Sequence, residues 1–198
     1  MALPKDFKQE QTGGKYTLNK LKSGDKVKFR VLSDFIDGKS VWGDKDGKRV
    51  PTRVKLGQPI PTGAIGVNKF SGNPESIKQF IAAVVWNYQD EQIEIFETDK
   101  ATIIGQIVAI EENDDWGDCK QYDLTVSKKG EGMDTEYNVL PSNKAVFKCP
   151  EDPKSVNLQA LYSNEDPFAQ VEDTEDVAQD AIEALAEEES KKGDKAPF

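Results

Sequence analysis

Apolar residues are densest in residues 77–97, IKQFIAAVVWNYQDEQIEIFE, and their spacing predicts a β-hairpin. In the first arm Phe80, Val84, Trp86 and Tyr88 share one parity and Ile81, Ala83 and Val85 the other, so a strand here is buried on both faces. Residues 87–92 supply a polar turn, and Ile93 and Ile95 alternate with Gln92, Glu94 and Phe96 on the way back. The cleanest alternation lies earlier, in residues 25–31, where Val27, Phe29 and Val31 face one way and Lys26, Lys28 and Arg30 the other. A second stretch repeats it: Val50, Thr52, Val54 and Leu56 alternate with Arg49, Pro51, Arg53 and Lys55 behind Lys48. Proline cannot donate to a central ladder, so Pro51 places that strand at an edge or a bulge.

The remaining elements follow from turn signals and periodicity. Asp37-Gly38 and Asp46-Gly47 read as turns framing a short strand around Val41 and Trp42. Residues 57–74, rich in glycine and proline, form a loop holding one Lys69-Phe70 pair. Residues 99–113 place apolar side chains at 103, 104, 107, 108 and 110, nearer a period of 3.6 than 2, which predicts a short helix. After Trp116-Gly117 a second hairpin follows, with Tyr122, Leu124 and Val126 going out, residues 128–134 turning, and Thr135, Tyr137 and Val139 returning. Residues 141–162 form a closing segment that packs Val146, Phe147, Leu158 and Leu161 on the body. The expected organisation is a flexible basic arm over residues 1–24, one mainly β, OB-fold-like barrel with a single short helix over residues 25–163, and a disordered acidic tail over residues 164–198.

Charge sharpens this division. The net charge is −10, yet the first 55 residues hold 14 lysines and arginines against 7 acids, residues 57–163 hold 9 against 17, and residues 164–198 hold 3 against 12. A basic surface and an acidic tail thus share one molecule. The basic arm can serve a ligand or be an ordinary solvated terminus; the tail, in turn, can be a partner motif or a solubiliser. No run approaches the length of a membrane span, and the first residues lack the basic and apolar regions of a secretory signal, which predicts a soluble protein that stays where it is made.

Candidate chemistry is mostly that of binding. With no histidine the usual general base and every Ser-His or Cys-His nucleophile are absent, and Cys119 and Cys149, far apart, argue against zinc. No phosphate loop, dinucleotide fingerprint or nucleophile elbow is present. Asp114, Asp115 and Asp118 crowd around Gly117 and could hold Mg²⁺ as in a nuclease, although carboxylates in such a turn are usually only solvated. Trp42, Trp86, Tyr88, Trp116, Tyr122 and Tyr137 are candidate stacking platforms; any single one is more often a core residue, but six of them on strands that also carry Lys and Arg point to some being exposed for stacking. Interleaved with Lys26, Lys28, Arg30, Lys48, Arg49, Arg53, Lys55, Lys128 and Lys129, they make the set a single-strand binder uses: cations tracking phosphates and rings accepting any base, each stack worth about 1–3 kcal/mol.

Five stretches then carry a resemblance: Lys28-Phe-Arg-Val-Leu32, the hairpin of Lys39 and Trp42, Phe80-Ile-Ala-Ala-Val-Val85, Trp116-Gly117 with Tyr122-Asp-Leu-Thr-Val126, and Gly132 through Thr135 and Tyr137 to Leu140. In this order they are similar to the core of the replicative single-stranded DNA-binding proteins of tailed bacteriophages. The resemblance implies an OB-fold core without a cofactor, no enzymatic activity, and a role in phage DNA replication, recombination and repair in the cytoplasm of the infected bacterium. It also implies an amino-terminal arm for self-association on DNA and an acidic tail recruiting a polymerase, helicase or primase. The ending at Asp194, Pro197 and Phe198 resembles the Pro-Phe terminus of bacterial single-stranded DNA-binding proteins, which offers a ring and a carboxylate to a partner's pocket. Some family members carry a zinc subdomain before the central hairpin; residues 57–74 have neither cysteine nor histidine, so metal-dependent cooperativity is not expected. The other readings the residues allow are an acidic interaction or scaffold protein and, third, a metal-dependent nuclease.

Overall fold

The computed structural model describes residues 15–19 and 21–169. The chain divides into units Met1–Pro167 and Phe168–Phe198, and every named element lies in the first. The protein is mainly β. Its strands are β1 (Lys26–Val31), β2 (Ile36–Lys45), β3 (Lys48–Lys55), β4 (Lys78–Asn87), β5 (Gln92–Thr98), β6 (Asp123–Lys129) and β7 (Glu136–Pro141), with helices α1 (Ala101–Glu111) and α2 (Ala160–Ser163). Among the described residues no helix is long and apolar enough to cross a membrane.

The apolar hairpin read at residues 77–97 is β4 and β5, and β4 is the spine of the sheet. One edge pairs with β5 from Ile81 to Asn87. The other edge takes two partners end to end, β2 along Lys78 to Ala82 and β1 along Val85 to Asn87. Ser33 bridges the break between them, its hydroxyl accepting from the Val84 N–H at 2.9 Å while the Leu32 N–H donates to the Val84 carbonyl. Beyond β1 lie β6 and then β7, and beyond β2 lies β3, all antiparallel. Pro51 therefore does sit in an edge strand.

Every residue of β4 from Phe80 to Asn87 is buried, as its double-faced pattern requires. One face holds the core: Val27, Phe29 and Val31 meet Ile81, Ala83, Val85, Phe96, Leu124 and Val126, closed by Ile103 and Ile107 of α1. The strands β5 and β7 do not pair, so the sheet stays open there. A side chain from α1 bridges to β7 instead: the Gln106 amide donates to the Tyr137 carbonyl at 3.0 Å and accepts from the Val139 N–H at 2.8 Å, standing in for a strand.

Four expectations need correction. Asp37-Gly38 is not a turn; it lies inside β2, a ten-residue strand, where Gly38 pairs with Lys55 on one side and Phe80 on the other. Asp46-Gly47 is the turn, with both residues at positive φ (51° and 73°), the two-residue geometry that matches strand twist. Of the expected arm, residues 1–14 and 20 lie outside the described residues, and residues 15–19 and 21–24 do not belong to a loose arm. The Thr17 N–H donates to the Ile95 carbonyl, the Ile95 N–H donates to the Lys15 carbonyl, and Leu18 and Leu21 pack on the core, so this segment covers the outer edge of β5. The body likewise runs past residue 163, because the Asn157 N–H donates to the Pro167 carbonyl and Pro167 is buried. Finally, Val146 is fully exposed, whereas Leu158 and Leu161 are buried as expected.

A methyl group at Gly38 would collide with the Val54 carbonyl and the Phe80 ring. Gly38→Ala is expected to cost about 1–3 kcal/mol in urea unfolding, the usual range for overpacking; wild-type stability would show that β2 is not pinned between β3 and β4.

Candidate nucleic-acid interface

The strand registers put both basic stripes on one sheet face, the face opposite the core. Arg30 is the partner of Trp86, Gly38 of Phe80 and Lys55, and Ser40 of Arg53. Lys26, Lys28 and Arg30 of β1, Arg49, Arg53 and Lys55 of β3, and Trp42, Trp86 and Tyr88 therefore point to the same side. Sequence alternation found this face. It did not find what lies on it.

Residues 142–167 cross it. Phe147 packs on Tyr88 (ring centroids 5.7 Å apart) and on Trp86 (6.4 Å), and Tyr162 packs edge-on against Phe80 (6.1 Å), its hydroxyl donating to the Asp37 carbonyl at 2.6 Å. Val156, Leu158 and Leu161 are buried with them. Trp86 is consequently only 7 % exposed, part of the core of this structure and not an open platform.

All three arginines are also engaged. Arg30 is 3 % exposed; its Nε donates to Asp123 at 2.6 Å and its guanidinium reaches the Ala145 carbonyl at 2.9 Å, so it is a structural residue and not a free phosphate contact. Arg53 forks onto Glu97 through two bonds of 2.7 and 2.9 Å, and Arg49 pairs with Glu75. Lys28 is exposed but bonds Asp123 at 2.8 Å and lies 5.0 Å from the Tyr88 ring; Lys55 is exposed over Tyr162. Lys26, Lys48 and Lys129 are exposed, and Lys128 is half-buried with its ammonium on the Leu21 carbonyl.

The other aromatic candidates separate by burial. Tyr122 is wholly buried, its hydroxyl donating to the Gly117 carbonyl at 2.7 Å, and Trp116 packs against it at 5.4 Å, so neither belongs to this face. Trp42 is 42 % exposed, opposite Pro51 on the β2–β3 hairpin. It lines a cleft of about 580 Å³ with Tyr16, Arg53, Lys100 and Tyr137. A neighbouring cavity of about 980 Å³ shares Asp99, Lys100 and Tyr137 with it and adds Lys78 and Thr135, so the two form one furrow from the β2–β3 hairpin to the β6–β7 turn. Tyr16, Lys78 and Lys100 were not foreseen. Tyr16 lay in the presumed arm, and the two lysines stand just outside the ends of the central hairpin, where no alternation marks them.

Two carboxylates organise the charges. Burial alone would raise the Asp123 carboxyl, but hydrogen bonds from Lys28, Arg30 and Tyr88 outweigh it and hold the group below the usual carboxylate range. The Tyr88 hydroxyl, half-buried and donating to Asp123, is pushed up to about 12. In the furrow burial opposes ionisation of Asp99, and bonds from Lys100 and Lys78 again prevail, lowering it. Elsewhere burial pushes the Cys119 thiol up to about 12, which leaves it unreactive. Asp118 accepts from the Lys120 N–H, and among the described residues no group of three or more acids, cysteines or histidines comes together to hold a metal. The tail residues Asp194, Pro197 and Phe198 lie outside the described residues.

Asp123→Asn is expected to cost about 3 kcal/mol at neutral pH, the lower end for breaking a buried pair, since Arg30 would lose its counter-charge. Because the folded-state carboxyl is depressed, its contribution is complete above the unfolded value of about 3.9 and is lost as pH falls through the lower folded value. Urea unfolding of the two proteins should thus diverge at neutral pH and converge in acid; a pH-independent difference would show that charge is not the cause.

No protein-family model matches this chain and no curated protein matches it, so the chemistry of the face is argued from its own residues.

Proposed function

We propose that this protein is a non-enzymatic, sequence-tolerant single-stranded DNA-binding protein. The observation that carries the reading is the shared cleft: Trp42 of the β2–β3 hairpin and Tyr137 of β7 line it together with Tyr16, Arg53 and Lys100. Rings in an open furrow with ammonium groups along it suit a flexible polyanion whose bases can splay out, and a duplex offers no such bases. The strand order supports it. Omitting the inserted β2–β3 hairpin, β5-β4-β1-β6-β7 with a helix between β5 and β6 is the order of an OB-type sheet. In that arrangement oligonucleotides lie on the second and third strands, here β4 and β5, between the loop after the first strand and the loop before the last. Those are the β2–β3 hairpin and the β6–β7 turn, the two ends of the furrow.

A second reading, an interaction or scaffold protein, draws on the internal pairing of Arg30, Arg49 and Arg53, since a protein partner needs fewer free cations than DNA does. Labelled oligo(dT) against duplex at two salt concentrations separates the two. For a DNA binder the exposed lysines that no carboxylate pairs set the salt dependence: Lys26→Gln and Lys55→Gln should each flatten the slope of log K against log salt by about 0.7. Arg30→Gln should lower stability instead.

The acidic carboxy-terminal segment belongs to the same proposal as a competitor for the basic face and a recruiter of a phage polymerase, helicase or primase, in the cytoplasm of an infected bacterium. Since residues 164–167 pack on the body, the informative truncation removes residues 170–198. It should tighten oligo(dT) binding at low salt, where the competition is least screened, and equal affinities would remove the competition.

Trp42→Ala should weaken oligo(dT) binding by about 1–3 kcal/mol with little change in unfolding free energy, because the ring is half open to solvent. Unchanged affinity would take Trp42 out of the site.

A further inference from the structure

Resting on the DNA-binding reading, we propose that the slot formed by Trp86, Tyr88 and Arg30 is a nucleobase site occupied in the free protein by Phe147, which an incoming base displaces.

The slot has the parts of a base site. The Phe147 ring meets Tyr88 at an interplanar angle of 72° and Trp86 at 42°, and the Arg30 guanidinium carbon lies 5.3 Å from its centre. Two aromatic surfaces and a planar cation around a flat ring are what a base would meet in its place. The slot also sits on the same sheet face as Trp42.

The two halves of the covering segment are held very differently. Residues 156–167 are anchored by Val156, Leu158, Ala160, Leu161 and Pro167, all buried. Residues 143–148 have every side chain exposed except Phe147, and their neighbour Val146 is wholly in solvent despite being apolar. Ala145 adds two backbone contacts, its N–H to the Gln121 carbonyl and its carbonyl to Arg30. One ring and two hydrogen bonds thus close the slot, and Ser142 and Val156 bound the part that can lift. On release Arg30 keeps Asp123 through Nε, and the guanidinium nitrogen that loses Ala145 keeps only a long 3.5 Å contact to the Lys120 carbonyl and turns to the ligand. A tethered ring is present at a high effective concentration, so a free nucleotide would not compete; a base already held nearby through the furrow would.

Cys149, two residues from Phe147 and partly buried, reports on the segment, while Cys119 is buried. The experiment uses the full chain with oligo(dT), following binding by anisotropy and maleimide labelling by mass spectrometry in the same samples. Saturating oligo(dT) should raise the labelling rate of Cys149 several-fold and leave Cys119 unlabelled, which shows the fold intact. Phe147→Ala should raise the basal rate and bind oligo(dT) several-fold more tightly. Oligo(dT) binding with an unchanged or lower Cys149 rate overturns the displacement, even if the variant does not fold. No oligo(dT) binding at all overturns the DNA-binding reading and this site with it.

Discussion

The Asp123 carboxylate is the contact on which the rest of the face depends. It lies on β6 opposite Arg30 of β1, and it takes hydrogen bonds from Arg30, Lys28 and the Tyr88 hydroxyl just past β4. Three adjacent strands are thereby tied on the side away from the core, beside the buried Trp86. Arg30 then reaches Ala145, so the same carboxylate fixes where the covering segment begins. A buried guanidinium without this partner would be costly; with it, the pair rigidifies the centre of the sheet.

This arrangement explains why the basic stripes do not simply make a cationic groove. Alternation in a strand tells which side chains share a face, but not which carboxylates other strands bring to that face. Asp123, Glu97 and Glu75 come from three separate parts of the chain and neutralise Arg30, Arg53 and Arg49. What remains for a ligand is a set of lysines and a half-open aromatic furrow at one end, with a covered aromatic slot at the other.

Local pattern was legible where one residue type dictates one geometry. The period-2 runs of β1 and β3, the doubly buried β4, the 3.6-residue period of α1, and Pro51 at an edge all follow from sequence spacing. Gly38 misled because a glycine after aspartate signals a turn, whereas here it lets two neighbouring strands approach β2 from both sides. Tyr16 and Trp86 were beyond local reasoning: whether a ring is open or covered is settled by contacts more than sixty residues away along the chain, such as Trp86 with Phe147, whose packing on the body was itself expected. Tyr122 had the alternation of a strand residue and turned inward at its start, next to Cys119.

The account places single-stranded DNA in the furrow that Trp42 and Tyr137 line, and from there on the sheet face that carries Trp42. Photo-crosslinking of oligo(dT) carrying iododeoxyuridine to the full chain, with the linked peptides identified by mass spectrometry, tests this most directly. Crosslinks to Trp42, Tyr16 or Tyr137 are the expected result. Crosslinks confined to Trp116 and the far end of α1, on the opposite side of the sheet, would contradict it.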